Sequence, residues 1–171
     1  SAVDADGPTL SAEAQTEMRA YMDRFHLDLG TTDSKTVAMT TAERIRRYGR
    51  GEADPDLEEM LFQFGRYALV AANRPGGLPS NLQGIWSEGL KAPWSADYHL
   101  NINLQMNYWP AETTGLSDLH QPMLDFVTAM QPGGRALAAA IGHEGFCCGH
   151  AVNAWKNTWF SGGKALWGAS L

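Results

Sequence analysis

The sequence is short of cysteine, of basic charge and of long apolar runs. Its two cysteines, Cys147 and Cys148, are neighbours, so they supply neither a disulfide framework nor a zinc-ligand set. Lys and Arg number 13 against 19 Asp and Glu, a formal net charge of −6. An acidic chain without a basic stripe is a poor partner for nucleic acid or for an anionic membrane. No stretch approaches the roughly 18 apolar residues of a spanning helix, so no membrane insertion is expected. The chain opens on neither a signal-like segment nor a methionine, and nothing about compartment is read from its start. Fixed-period repeats, low-complexity segments and convincing strand patterns are also missing. What is there, 171 residues of which 44% are hydrophobic and 19% charged, has the composition of one globular domain or of a piece of a larger one.

The charges are unevenly placed. Residues 1–75 carry 9 Lys and Arg and 13 Asp and Glu, whereas residues 76–171 carry 4 and 6. All six tryptophans, from Trp86 to Trp167, and all seven asparagines, from Asn73 on, lie late in the chain. The first part therefore reads as amphipathic helices with a solvated face. The second offers a surface poor in charge and rich in Trp, Asn and Gly, suited to a neutral, hydroxyl-rich ligand. The competing reading is that Trp fills a core and Asn and Gly fill loops.

Periodicity predicts helices. Leu10, Ala14, Met18, Tyr21, Met22 and Phe25 recur at three and four residues, a helix beginning near Ser11 and broken at Gly30 to Ser34. Thr40 with Glu43 is a capping-box pair opening a short helix that ends near Gly49 and Gly51. Asp54-Pro55 is an N-cap with proline at the first helical position. Leu57, Met60, Leu61, Phe64, Ala68, Ala71 and Ala72 then form one stripe, which stops at Asn73-Arg74-Pro75-Gly76-Gly77. Residues 78–100 show little helical period, a loop long enough to ask for a function. Further helices are expected over about 103–112, 120–130 and 134–141, with Pro132-Gly133 separating the last two. The expected fold class is all-α with long connecting loops.

The segment His99-Leu100-Asn101-Ile102-Asn103 alternates polar and apolar residues. If extended, it points His99, Asn101 and Asn103 one way and Leu100 and Ile102 the other. Two amides and an imidazole would then share one face beside a Trp-rich loop. A solvent-facing strand, or an N-cap by Asn103 on the next helix, would read the same way.

The run LPSNLQGIWSEGLKAPWSADYHLNINLQMNYWPAE, residues 78–112, resembles the catalytic domain of the α-L-fucosidases of glycoside hydrolase family 95. FQFGRYALVAANRPG, residues 62–76, is similar to the family's helix before that loop, and DRFHLDLG, residues 23–30, matches more loosely. The resemblance implies part of an (α/α)6 barrel and the release of terminal α-L-fucose, α-1,2-linked, from glycans with inversion. It implies that Asn101 and Asn103, matching the family's Asn-x-Asn motif, orient the attacking water. It also implies that His99 meets the sugar near its C5 methyl; relatives preferring L-galactose carry Thr there. Asn81, Gln83, Trp86 and Trp94 in the long loop are candidate sugar contacts. No cofactor or metal is expected, the partner is a fucosylated glycan, and a secreted or periplasmic location is what the family suggests. Oligomeric state is not readable.

The chemistry suits these residue types. A carboxamide is too weakly basic to take a proton alone, but its oxygen accepts from water while its NH2 donates to a carboxylate, which acts as the base one step further out. Inversion needs two carboxyl groups, one to protonate the leaving oxygen and one to activate water. In the family these are a Glu and an Asp well beyond the Asn-x-Asn segment, and neither is placed here. A twelve-helix barrel takes on the order of 300 residues. Residues 1–171 are thus expected to be the N-terminal portion of such a domain, inactive alone, and the apolar stretch Trp167 to Leu171 agrees with that. Rival functions are α-L-galactosidase, a non-catalytic glycan-binding module, and a helical interaction domain.

Other residues read as structural. Glu112 is expected to cap or ion-pair rather than act as an acid, and Trp109 to lie in the core. Arg66 and Arg74 are expected on backbone carbonyls or carboxylates, and Cys147 and Cys148 as buried thiols. His143 and His150 lack companions at metal-ligand spacing. Over His150 to Trp155 the chain departs from the family's His-x-x-Asp-x-Trp form, with Asn153 at the Asp position.

Overall fold

The computed structural model describes residues 7–159. Trp167 and the rest of the closing apolar stretch lie outside the described residues. Six α-helices carry the fold: α1 (Gly7–Met22), α2 (Ser34–Val37), α3 (Thr41–Tyr48), α4 (Pro55–Ala72), α5 (Asn103–Thr113) and α6 (Gln121–Ala140). An all-α, multi-helix domain consistent with part of an α/α barrel is what the sequence predicted. Two short strands, which it did not, pair antiparallel: β1 (Tyr98–His99) with β2 (Ala151–Val152), Tyr98 opposite Val152. The chain divides into two compact units, residues up to 68 and residues from 69 onward.

In the first unit local signals set the helix ends. Glu43 N–H donates to Thr40 Oγ1 at 3.3 Å and Thr40 N–H to Glu43 Oε2 at 3.0 Å, closing the capping box of α3. Asp54 Oδ1 accepts the Leu57 N–H at 3.1 Å, the expected cap of α4. α1 already covers Gly7, ahead of the start expected near Ser11, and it includes Pro8. Within α1 only Tyr21 is buried, and Leu10 is exposed.

The apolar stripe predicted on α4 is only partly buried. Leu57, the first residue of the stripe, is buried, but Met60, Leu61 and Phe64 are exposed, and Arg66, which lies outside it, is buried. Further along the helix Arg66 faces inward, its guanidinium donating to the carbonyls of Tyr21 and Met22 at 2.9 Å each. The exposed side lines an apolar cavity of about 770 Å³ with Ile45, Tyr48 and Phe62.

In the second unit, Leu104, Tyr108 and Ala111 recur at helical spacing on the buried side of α5. Trp109, expected in the core, follows Tyr108 around the helix and is 64% exposed. Arg74 donates to Val70 O and Asn73 O, as expected of it. Asn73, fully buried, donates to Leu69 O and Ser80 Oγ at 2.8 Å each and accepts from the Tyr108 hydroxyl, while Ser80 N–H donates to Tyr108 Oη at 2.8 Å. These bonds anchor the start of the long loop on α5, and burial pushes the Tyr108 hydroxyl up to about 12. Ser80 N–H also donates to Asn73 Oδ1 at 3.2 Å, so Tyr108→Phe removes two hydrogen bonds but leaves Ser80 N–H and Asn73 Oδ1 paired with each other, and it is expected to cost about 0.5–1.5 kcal/mol in denaturant unfolding.

One helix stands where two were predicted, since α6 runs through Pro132 and Gly133. Pro132 removes a single N–H, and the glycines after it answer to space rather than to a break. A Cβ on Gly133 would lie 2.9 Å from Thr158 Oγ1, and one on Gly134 would enter the Phe146 ring. Gly134→Ala is expected to destabilise by about 1–3 kcal/mol. In a Phe146→Ala background the same change should become neutral or stabilising, since alanine is the better helix former; thermal melts of the four variants check this.

Candidate active site

The candidate site lies wholly in the second unit and begins with a strained turn. Trp94, Ser95 and Ala96 have φ of 53°, 61° and 48° in succession. Non-glycine residues in the left-handed region cost of the order of 1 kcal/mol or more each, and such runs persist where the surroundings hold them. Here Ser95 N–H donates to Ala92 O at 3.1 Å and Asp97 N–H to Trp94 O at 3.5 Å. The turn delivers Trp94 to the surface, 77% exposed, with its ring edge-on to the His99 imidazole at 5.9 Å.

From Asp97 the chain is extended into β1. Tyr98 faces the core, its ring 4.6 Å from that of Phe126, so Asp97 and His99 share the opposite face. Leu100 N–H donates to His150 O at 2.6 Å, extending the pairing with the β2 strand. The chain then turns, held by Gln105 Nε2 donating to Leu100 O at 2.6 Å, and α5 begins at Asn103. The expected five-residue extended segment is therefore strand, turn and helix start. Leu100 is buried, away from the polar residues, but Ile102, expected on the same side as Leu100, lies in the turn and is 41% exposed.

That path nonetheless brings the polar residues together. His99, Asn101 and Asn103 line one open cavity of about 540 Å³ with Leu82, Trp94 and His150. No side chain caps the start of α5, so Asn103 is not serving as an N-cap. Among the described residues neither amide has a hydrogen-bond partner, which leaves both free to meet a ligand in the cavity.

Asn81, Gln83 and Trp86 do not line this cavity. Asn81 Oδ1 accepts the Gln83 N–H at 2.7 Å in a tight turn closed by Asn81 and Gly84, and Gln83 Nε2 reaches Pro93 O at 3.4 Å. Trp86 is half exposed rather than a core plug. Glu112 Oε1 lies 2.8 Å from His120 Nδ1, a structural pairing rather than a place in the cavity.

Two groups escaped the sequence reading. His150 is a wall of the cavity, its ring 5.5 Å from that of His99. Asp97 Oδ1 lies 2.8 Å from His99 Nε2, and burial raises its carboxyl above the usual range against the pull of His99 and His150. Asp97 falls on the same alternation as His99, Asn101 and Asn103, which was the available signal; for His150 the signal was its place at the head of the His-x-x-Asp-x-Trp form, and strand pairing beside β2 brings it to the cavity. Asn153 instead stabilises its own turn, accepting from the N–H groups of Trp155 and Asn157. Cys148 is buried, its thiol pushed up to about 11 by desolvation, while Cys147 is only half-buried.

Among the described residues no helix is long and apolar enough to cross a membrane. Residues 7–171 match the family described as the glycosyl hydrolase family 95 catalytic domain. The chain is 39% identical over 141 residues to alpha-L-fucosidase 2 of Arabidopsis thaliana, a span covering 81% of this chain and 17% of that protein. It is 38% identical over 129 residues to probable alpha-fucosidase A of Aspergillus niger (74% and 16%) and 39% over 128 residues to that of Aspergillus oryzae (74% and 18%). The chain thus spans less than a fifth of the length of these relatives. With these matches and its helical fold, the chain belongs to glycosyl hydrolase family 95 as part of a catalytic domain.

Proposed function

We propose that this chain is the N-terminal portion of an inverting α-L-fucosidase domain, and that its cavity takes the terminal α-1,2-linked fucose of a glycan. The observation that carries the reading is the convergence of Asn101 and Asn103, with free amides, on the wall shared by His99 and Trp94. An amide oxygen accepts a hydrogen bond from water, and its NH2 donates to a carboxylate that takes the proton. Two such amides side by side aim one water at the anomeric carbon. His99 meets the C5 methyl and favours fucose over L-galactose, and the exposed Trp94 ring offers a stacking face. A carboxylic acid and an outer carboxylate base complete the inversion and come from further helices of the complete enzyme.

The test is to follow 2′-fucosyllactose by proton NMR with the complete enzyme. The β anomer of L-fucose is expected first, as inversion requires, and no turnover is expected from residues 1–171 alone. First appearance of the α anomer would contradict the mechanism, and turnover by the 171-residue chain would show that acid and base already lie within it. Binding of the glycan without hydrolysis by the complete protein would favour a non-catalytic glycan-binding domain, and faster release of L-galactose an α-L-galactosidase.

A further inference from the structure

We propose that Asp97 is a positioning residue: it holds the His99 imidazole in one attitude and, through that ring, sets how well the cavity tells a C5 methyl from a C5 hydroxymethyl. The inference rests on the fucosidase reading of the same cavity. Its geometric basis is separate. Asp97 and His99 lie two residues apart on extended backbone, so their side chains leave the same face. Asp97 Oδ1 is sealed from solvent and has no hydrogen-bond partner of good geometry, yet it stands 2.8 Å from His99 Nε2. The ring is confined by the Trp94 edge at 5.9 Å and by the His150 ring at 5.5 Å.

Between those rings the imidazole keeps one inexpensive freedom, a half-turn about its bond to Cβ. That flip would put a carbon edge against the sealed Asp97 Oδ1 and leave that oxygen facing no nitrogen. Asp97 therefore selects the orientation with Nε2 toward itself. Asp97 reaches no sugar atom in this account; its effect passes through His99. The backbone makes the arrangement stiff, because the Asp97 N–H closes the left-handed turn on Trp94 O while its own carbonyl accepts the Leu82 N–H at 3.1 Å. One residue thus ties the Trp94 turn, the His99 ring and the loop at Leu82 into one wall.

The experiment is a double-mutant cycle in the complete enzyme, read as the ratio of kcat/KM on an α-L-fucoside to that on the matching α-L-galactoside. Asp97→Ala should lower this ratio on the order of tenfold, within the discrimination that one substituent on a sugar can supply. His99→Ala should lower it similarly, and the double variant no further than His99→Ala alone, since the two act as one unit. Asp97→Asn, which keeps shape and an acceptor oxygen, should lower the ratio less than Asp97→Ala and again add nothing to His99→Ala. It also carries the test should Asp97→Ala fail to fold. Equal losses on both substrates with the ratio intact, or effects that add in full in the double variant, would overturn the proposal. Calorimetric titration with free L-fucose and free L-galactose gives the corresponding preference in ground-state affinity, without turnover. An inactive enzyme whose binding preference still falls in Asp97→Asn would defeat the hydrolase reading and leave this inference standing. An active enzyme with unaltered preference would defeat this inference alone.

Discussion

Asn103→Ala and Asn101→Ala are each expected to lower kcat of the complete enzyme on 2′-fucosyllactose by a factor on the order of 100 or more. Positioned proton-transfer groups contribute about 10²–10⁴-fold, and each amide is one link of such a chain. The loss should fall on kcat more than on KM, because the oriented water acts in the transition state. Stability should hardly change, since neither amide bonds to the protein among the described residues, and such surface substitutions stay within about ±0.5 kcal/mol. The double variant should be little worse than either single one, because a water held by one amide is no longer aimed. Steady-state kinetics with parallel melting curves check this, and an activity loss matched by a melting loss would assign the asparagines to folding instead.

Asp54→Ala is expected to be the most destabilising change in the first unit, by about 3 kcal/mol, the cost of leaving a buried partner charge unpaired. Asp54 makes a two-pronged pair with Arg44, Nε to Oδ2 at 2.8 Å and Nη2 to Oδ1 at 2.7 Å, with both side chains almost sealed from solvent. It also accepts from the Thr32 hydroxyl at 2.7 Å and caps α4 through Leu57 N–H. The Arg44 guanidinium, against the opposing effect of burial, and then the Thr32 hydroxyl and Leu57 N–H hold its carboxyl well below the ordinary value of 3.8. A group whose pKa is depressed by folding stabilises fully above its unfolded value and loses that contribution as pH falls through the folded one. The gap in denaturant stability between the native chain and Asp54→Ala should therefore be full at neutral pH. It should shrink steadily as pH falls below about 4. A gap independent of pH would mean that the lost cap and packing, not the charge, account for it.

Features set by neighbours in sequence were readable in advance. Thr40 with Glu43, Asp54 before Pro55 and the stop after Asn73 act within one turn, and each helix end fell where they placed it. Features set by distant partners were not. The burial of Arg66 on α4 reflects carbonyls near residue 21, and the glycine at 133 inside α6 reflects the closeness of Thr158. Tryptophan counts suggested a core at Trp109, but the helical phase of α5, fixed by Leu104 and Tyr108, turns it outward. At the cavity, the alternation of His99, Asn101 and Asn103 predicted their shared face, although a turn and a helix start, not a strand, achieve it. The loop residues Asn81 and Gln83 looked equally suited to a sugar, yet their polar groups close their own turn.

A crystal structure of the complete Asn103→Ala enzyme holding intact 2′-fucosyllactose tests the central claim most directly. The fucosyl ring should occupy the cavity of Trp94 and His99, its anomeric carbon facing residues 101 and 103. A water should lie within hydrogen-bond reach, about 2.6–3.2 Å, of the remaining Asn101 amide. A fucosyl ring seated elsewhere, or one whose anomeric carbon faces away from both positions, would contradict the account.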